Sequence, residues 1–172
     1  MQLWQVFDKQ TLICAKLPHV SGALKRFKGF VMPARIVSVS FDSTPRLVPS
    51  VDEPVTVNQR TPPPDVAVPT HSHPWGQLAY PVRGAMHISA AGTTWIVPPF
   101  RAVWIPPEIQ HDVVMLGQVE LRTLYIAPEA APLPLDACAV VDVSPLLRNL
   151  IEALTEGRGE RRHRLVMDLV LE

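Results

Sequence analysis

The 172-residue chain lacks three features that would each assign a protein to a broad class. Its two cysteines, Cys14 and Cys138, form no C-x-x-C pair, which argues against a disulfide scaffold and fits a reducing compartment. The 16 lysines and arginines balance 16 aspartates and glutamates, so no basic excess is available for binding nucleic acid directly. No apolar run approaches the length of a membrane span, and no signal-peptide pattern is present. These absences predict a cytoplasmic protein with no membrane partner.

Proline, in contrast, is abundant, with 19 residues. Because proline is kept out of helix interiors and central strands, this number in a hydrophobic chain predicts short strands separated by turns. Seven of the prolines lie between Thr44 and Pro69. We expect that region to be a long loop or an extended covering strand, with residues 66–68 entering the sheet.

Short apolar or β-branched runs between turn signals predict the strands of a mainly β domain. They occupy 34–41, 77–82, 85–89, 93–97, 101–105, 112–116, 119–126 and 139–143. Residues 81–84 predict a turn, and Gly117-Gln118 predicts the turn of a hairpin. This spacing favours an antiparallel barrel or jelly roll over residues 31–143. Residues 1–30, whose only acidic residue is Asp8, are predicted to be an N-terminal basic extension.

Two amphipathic helices are predicted after the last strand. Ser144 is a suitable N-cap, and Pro145 suits the first helical position. Apolar residues then recur at helical spacing, at Leu146, Leu147, Leu150, Ile151 and Leu154 and again at Leu165, Val166, Leu169 and Val170. We expect residues 144–172 to form a helical dimerisation or linker segment. Its apolar stripes can pack on the barrel or on a second copy of the chain.

A pattern typical of metal ligands lies in the segment H-S-H-P-W-G-Q. On a strand, His71 and His73 leave the same face. An extended chain of about six residues, from His71 to Gln77, covers about 20 Å, whereas donors sit about 2 Å from an ion. Gln77 can therefore bind the same ion as the two histidines only if the chain bends. Pro74-Trp75-Gly76 can provide the bend. His111, in the later segment W-I-P-P-E-I-Q-H, is a further candidate.

These four residues predict a site for a divalent metal ion inside the barrel. With a nitrogen-rich set of donors the ion can be Zn²⁺ or Ni²⁺, between which the sequence does not choose. The alternative is three histidines satisfied by hydrogen bonds, with Gln77 orienting one of them.

Aromatic residues near these donors are candidates for contacts with a small molecule. We expect Trp75, Tyr80 and Trp104 to line a pocket, although packing in the core or at the rim is the simpler alternative. Three strand arginines can bind an anion, but exposed arginines are common on strands; they are Arg83, Arg101 and Arg122. Glu108 is the one evident acid–base residue near the predicted site.

The histidine segments resemble the two motifs of the cupin family. His71-x-His73-x3-Gln77-x6-Gly84 resembles the first motif, in which Glu is usual at the position of Gln77. Pro106-x-Glu108-x2-His111 resembles the second, in which Gly is usual at position 108 and Asn at position 115, here Met115. The resemblance implies a cupin jelly-roll barrel, a double-stranded β-helix, followed here by two short C-terminal α-helices.

A narrower resemblance covers residues 66–155 in three separate blocks. H-S-H-P-W-G-Q-L-A-Y, W-I-V-P-P-F-R-A-V-W-I-P-P-E-I-Q-H and V-E-L-R-T-L-Y-I resemble the N-terminal sensor domain of a subgroup of AraC-type transcriptional regulators. That resemblance implies a non-enzymatic domain that binds a small-molecule effector and forms a homodimer through its C-terminal helices. Contact with DNA would require a helix-turn-helix domain, for which residues 144–172 have no room. We therefore expect this chain to be the sensor and dimerisation part of such a regulator.

Two alternatives stay open on the same motifs. One is a metal-dependent cupin enzyme of dioxygenase or isomerase type, against which Gln77 in place of Glu and the shortage of acid–base residues argue. The other is a structural dimer module with an empty barrel.

Overall fold

The computed structural model describes residues 6–7, 37–38, 48–134, 136–156 and 159–172. Most of the predicted basic extension 1–30 and of the predicted strand 34–41 therefore lies outside the described residues. The strands are β1 (Val6–Phe7), β2 (Val37–Ser38), β3 (Val55–Arg60), β4 (Val66–His71), β5 (Gly76–Ala90), β6 (Thr93–Val97), β7 (Arg101–Ile105), β8 (His111–Ile126) and β9 (Ala139–Asp142). A 3-10 turn (Pro128–Ala130) precedes β9, and helices α1 (Pro145–Thr155) and α2 (Glu160–Leu171) follow it. Neither helix has the length and apolar character needed to cross a membrane.

The two longest strands, β5 and β8, pair with each other and organise the sheet. Their ladder shifts register between Pro81 and Ala85, where Gly84 has a φ of 80° and an added Cβ would lie 2.3 Å from the carbonyl oxygen of Gln118. β5 pairs with β7 before the shift and with β6 after it, while β8 pairs first with β4 and then with β3. The nine strands form one hydrogen-bonded sheet, which the bent ladder divides into two parts. They are called the first sheet, β1-β9-β7-β5-β8-β3, and the second sheet, β6-β5-β8-β4-β2.

The two sheets face each other across one apolar cluster. The first sheet contributes Ala79, Val103, Ile105 and Leu121, and the second contributes Met86, Ile88, Val113 and Met115. All of them are buried, and each turns inward because successive side chains of a strand alternate between its faces. This arrangement confirms the predicted mainly β jelly-roll barrel with two C-terminal helices.

Helices α1 and α2 cover the outer face of the first sheet. The N-cap predicted at Ser144 is confirmed, because its Oγ accepts a hydrogen bond of 3.1 Å from the backbone N–H of Leu147, and Pro145 occupies the first helical position. The helices bury Leu147, Ile151, Leu154, Val166, Met167 and Val170 in one cluster with Leu78, Trp104 and Leu124 of the sheet. Burial of one such side chain stabilises a fold by about 1.5–3 kcal/mol. The helices therefore contribute to the stability of the barrel.

Half of the apolar stripe predicted on α2 packs on the barrel. Val166 and Val170 are buried together with Met167, but Leu165 and Leu169 are 54% and 51% exposed. On a helix with 3.6 residues per turn, positions 166, 167 and 170 share one face, so the contact with the sheet is rotated toward Met167.

Of the two alternatives for the proline-rich region, the proline-free segment Val55–Arg60 follows the extended strand: it forms β3, which pairs residue by residue with β8. Two predictions about the strands are corrected. The turn predicted at 81–84 and the hairpin predicted at Gly117-Gln118 are both wrong, because each is a bend within a continuous strand. The two bends lie opposite each other in the ladder. Hydrogen bonds between β5 and β8 therefore keep each strand continuous through residues that locally favour a turn.

Candidate metal centre

Three histidines from two strands and one bend meet at the open end of the barrel. His71 ends β4 and His111 begins β8, and the two are direct partners across the antiparallel ladder. Their ring centroids are 4.2 Å apart, and the ring of His73, in the bend after β4, lies 5.0 Å from that of His111. One ring nitrogen from each histidine lies within 4.8 Å of the others. Residues 40 positions apart in the chain thus converge on one point.

Backbone carbonyls set the tautomer of all three rings. Each Nδ1 lies beside a carbonyl oxygen two residues away: His71 with Pro69 at 2.8 Å, His73 with Trp75 at 2.7 Å and His111 with Ile109 at 2.9 Å. Since a carbonyl oxygen can only accept, each Nδ1 carries the hydrogen and donates it. Each Nε2 is left with a lone pair, which is the form of imidazole that binds a metal ion.

Gln77 completes the set of donors from the first position of β5 after Gly76. Its Oε1 lies 3.0 Å from Nε2 of His73. Given the tautomer of His73, both atoms are acceptors, so the contact needs either a rotated amide that donates or a cation bound to both atoms. Two donors held about 2.1 Å from one ion at a right angle are about 3.0 Å from each other. The observed separation is consistent with a hydrogen bond from a rotated amide and with a cation shared at a right angle.

The Nε2 atom of His111 is buried and has no hydrogen-bond partner among the described residues. His111 is 1% exposed, and an unsatisfied polar atom at such a site costs about 1–3 kcal/mol. Burial, reinforced by the neighbouring His71 and His73, lowers the pKa of His111 to about 4 although its bond to Ile109 opposes the change. Burial likewise lowers the pKa of His73. Both imidazoles are therefore neutral at pH 7, and the donor set fits a divalent cation.

Three of the four donors, His71, His73 and Gln77, line a cavity of about 460 Å³. His111 is outside this lining, and its ring contacts those of His71 and His73. The floor of the cavity consists of apolar side chains from both sheets, namely Ala79, Met86, Val113, Met115 and Leu121. Polar side chains from β3, β4 and β8 complete the wall, namely Asn58, Arg60, Thr70, Thr123 and Tyr125. A cavity of this size and mixed lining is typical of small-molecule sites.

Of the three aromatic residues predicted to contact a ligand, only Trp75 lines this cavity. Its indole stacks on the ring of His73 with centroids 5.2 Å apart and planes 5° apart, and so helps to orient that donor. The structure does not bring Tyr80 and Trp104 to the cavity. Both lie on the outer face of the first sheet in the cluster beneath the helices, where Trp104 donates a hydrogen bond of 2.7 Å to the carbonyl oxygen of Pro134.

The charged residues considered from the sequence lie outside the cavity lining. Arg83 is exposed, Arg101 pairs with Asp142, and Arg122 donates to Glu120 at 2.8 Å. Glu108 is exposed, and its backbone N–H donates to the carbonyl oxygen of His73 at 2.9 Å.

Glu108 also has a φ of 62°, which favours glycine. This backbone conformation accounts physically for the glycine that is usual at this position of the second cupin motif. In this chain the position supports the His73 bend through its backbone.

Sequence reasoning missed the polar wall residues. Asn58 and Arg60 belong to β3, a strand that the sequence did not reveal because prolines flank it. Thr123 and Tyr125 lie on β8, whose inward face could not be identified from the sequence alone. A usable signal existed: residues two apart on a strand share a face, so Asn58 and Arg60 had to point the same way once β3 was recognised.

Comparison with known proteins identifies similar ligand-binding domains. A family model described as the AraC-like ligand binding domain matches residues 54–169. The HTH-type transcriptional regulator NimR of Escherichia coli K12 is 35% identical over 98 residues, which are 57% of this chain and 36% of NimR. This chain therefore spans about a third of the length of that curated relative.

Solved structures resemble parts of the chain. An RmlC-like cupin from Shewanella frigidimarina aligns with a TM-score of 0.40 and 18% identity, over 42% of this chain and 65% of its own. A variant of oxalate decarboxylase from Bacillus subtilis aligns with a TM-score of 0.39 and 15% identity, over 44% of this chain and 22% of its own. Likenesses at this level carry no functional argument.

Proposed function

The chain belongs to the family of AraC-like ligand-binding domains, and on that premise we propose that it is the effector-sensing domain of a transcriptional regulator, binding a small molecule together with a divalent metal ion in the barrel cavity. The observation that carries the proposal is the buried Nε2 of His111, which lacks a partner among the described residues and lies beside two more histidines. DNA contact is proposed for a helix-turn-helix domain linked to such a sensor, because the similar protein NimR is an HTH-type transcriptional regulator.

The proposed metal ligands are Nε2 of His71, His73 and His111 and Oε1 of Gln77. An imidazole-rich set suits Zn²⁺ or Ni²⁺. A bound ion would supply a Lewis-acidic point for an oxygen or nitrogen atom of the effector. The amide of Gln77 leaves the charge of the ion uncompensated, whereas a carboxylate there would cancel part of it.

The proposed response to the effector runs through β5 and β8. Gln77 and Ala79 line the cavity, while Leu78 and Tyr80, on the other face of the same strand, pack beneath the helices. An effector that binds more tightly to one conformation of the β5–β8 ladder would shift the protein toward that conformation. It would thereby also favour one position of α1. We propose that the exposed Leu165 and Leu169 on α2 form part of a homodimer contact.

The cavity supports binding more directly than catalysis. Among its described lining residues none is an aspartate or glutamate, and Glu108 lies outside it. General acid–base chemistry needs a titratable side chain within hydrogen-bond reach of the reacting atoms. Of the histidines and tyrosines in the described lining, His71 and His73 are proposed as metal ligands, which leaves Tyr125. The lining thus favours the sensor over the metal-dependent enzyme.

Metal analysis tests the proposal on protein purified without an affinity tag and dialysed against Zn²⁺ or Ni²⁺. We expect about one ion per chain, and loss of that ion in His111→Ala. His87→Ala is the matched control, because His87 is a half-buried β5 histidine that does not belong to the cluster of His71, His73 and His111. The proposal fails if the wild-type protein retains neither ion or if His111→Ala retains it as well as His87→Ala does.

A further inference from the structure

Two uncharged polar side chains lie opposite each other on the inner wall of the cavity. Asn58 of β3 and Thr123 of β8 are direct partners in the antiparallel ladder, and both line the cavity. Side chains of directly opposed residues leave the same face of a sheet, with Cβ atoms about 4.5–5.5 Å apart. The two polar groups are therefore close enough for one small ligand group to reach both.

The amide orientation of Asn58 is set by Arg60, its neighbour on the same strand face. Nε of Arg60 donates a hydrogen bond of 3.1 Å to Oδ1 of Asn58. Since Oδ1 accepts this bond, the other end of the amide is Nδ2, which can only donate. Arg60 has a further interaction as well, so we assign no role in ligand binding to its charge. What Asn58 offers to a ligand is a neutral N–H donor.

The hydroxyl of Thr123 is available to a ligand. Thr123 is 5% exposed, and its Oγ1 makes no hydrogen bond with a residue that the structure describes. The atom is nevertheless not one of the fully buried polar atoms that lack a partner, so it opens onto the cavity. A hydroxyl can both donate and accept, and a ligand that covers it without bonding to it would lose affinity.

Apolar side chains surround this polar pair. The floor below it consists of buried residues, namely Met86, Val113 and Met115. On its other side Thr123 pairs with Ala79, which also lines the cavity. None of these side chains offers a hydrogen-bond donor. The cavity therefore combines a neutral polar pair with a hydrophobic floor.

We infer that the effector is an uncharged molecule with a compact apolar body and a carboxamide-type group, whose C=O accepts from Nδ2 of Asn58 and whose N–H donates to Oγ1 of Thr123. An amide carries an acceptor and a donor side by side, which matches this pair. An ester of the same shape has no N–H to donate, and a carboxylate would place an ion above an apolar floor. The inference rests on the proposed function, since it takes this cavity to be the effector site.

The experiment compares amides with the corresponding methyl esters and acids on the whole chain near neutral pH. The probe sets are benzamide, methyl benzoate and benzoate; phenylacetamide, methyl phenylacetate and phenylacetate; and isovaleramide, methyl isovalerate and isovalerate. Dissociation constants come from NMR titration of the ¹⁵N-labelled protein. We expect at least one amide to bind about tenfold more tightly than its ester and its acid, because a site built around hydrogen bonds rejects an analogue that cannot make them.

Variants of the polar pair locate the preference. Thr123→Val removes the hydroxyl at nearly constant shape and should weaken binding of the amide about tenfold while leaving the ester unchanged. Thr123→Ser keeps a hydroxyl and should retain the preference. Asn58→Asp keeps the acceptor for Arg60 but replaces the donor Nδ2 with an oxygen, so it should also weaken binding of the amide about tenfold.

Thr94→Val is the matched control. Thr94 is a β6 threonine outside the cavity lining, and its hydroxyl donates to Oγ of Ser89. The affinities of this variant for all probes should match those of the wild type. The ¹⁵N spectra of all the variants report whether each is folded.

The inference is overturned if no amide binds more tightly than its ester at concentrations up to about 10 mM, or if a folded Thr123→Val or Asn58→Asp keeps the full preference. Equal losses in Thr94→Val, or tighter binding of an acid than of its amide, also overturn it. Metal content is measured on the same samples. A stoichiometric ion without a preference for amides contradicts this inference alone, whereas absence of the ion contradicts the proposed metal site.

Discussion

The ladder formed by β5 and β8 has two faces with opposite chemistry. On the outer face, Leu78 and Leu124 are buried beneath α1 and α2 in an apolar cluster. On the inner face, their neighbours Gln77 and Thr123 line the cavity with polar atoms. The contrast arises because successive side chains of a strand point to opposite sides. Stability and the proposed ligand binding thus depend on alternate positions of the strands. Substitutions should separate the two properties except where one residue contacts both faces.

The largest expected effect lies on the outer face, in Trp104→Ala. Trp104 is completely buried, and its loss leaves a cavity and an unpaired carbonyl oxygen at Pro134. We expect the free energy of unfolding to fall by about 3–5 kcal/mol. Urea denaturation monitored by circular dichroism measures it. A loss below about 1 kcal/mol would show that the outer cluster does not hold the barrel together.

The inner face should respond to pH in protein freed of metal by a chelator. The pKa of His111 is about 4 in the folded chain and about 6.5 when unfolded. Below pH 6.5 the unfolded chain therefore binds more protons, so stability should be complete above that pH and decline as the pH falls toward 4, by up to about 3 kcal/mol. Urea midpoints at several pH values test this. His111→Asn should flatten the profile, and an unchanged slope would contradict it.

Gly76→Ala should affect both stability and metal binding, because Gly76 lies beside residues of both faces. An added Cβ would sit 2.0 Å from a carbon of the Trp104 indole, and Gly76 ends the bend that carries His73. We expect a loss of about 1–3 kcal/mol from overpacking, together with weaker metal binding because the bend must move.

A double-mutant cycle isolates the cause of that loss. In the double variant Gly76→Ala/Trp104→Ala the clash with the indole is absent. The double variant should therefore lose much less free energy of unfolding than the sum of the losses in the two single variants. If the two losses are additive, Gly76→Ala destabilises the fold through something other than contact with Trp104.

The smallest effect on stability is expected on the exposed side of α2. Leu165→Asp and Leu169→Asp remove side chains that are about half exposed, so each should change the free energy of unfolding by less than about 0.5 kcal/mol. Light scattering should nevertheless show conversion of a dimer into a monomer. Val166→Asp, on the buried side of the same helix, is the contrasting control and should destabilise the fold. A dimer that survives both leucine changes argues against this contact.

Local signals predicted much of the site. The spacing of His71 and His73 predicted one shared strand face, but β4 ends at His71 and His73 lies in the bend that follows it. The bend needed before Gln77 was evident from Pro74-Trp75-Gly76. The structure brings these residues and His111 together. The capped start of α1 at Ser144 was equally local, because a cap depends on residues three apart.

The faces of the strands were less predictable. Tyr80 and Trp104 were expected at the ligand site because aromatic residues suit both a pocket and a core, and residue type does not indicate the face. Arg60 was missed because prolines on both sides of β3 concealed the strand. Gly84 and Gly117 indicated turns, yet each lies in a bend of a strand that its partner holds extended.

By itself the sequence determined the mainly β class, the two C-terminal helices and the residues able to bind a metal ion, because these depend on spacing and local backbone preference. Only the tertiary structure decided that His71 pairs with His111, that Arg60 reaches the cavity and that Trp104 lies beneath the helices. Those outcomes depend on strand register, which hydrogen bonds between distant segments select together with the burial of one face. A shift of one residue would turn each of these side chains to the opposite side of its sheet.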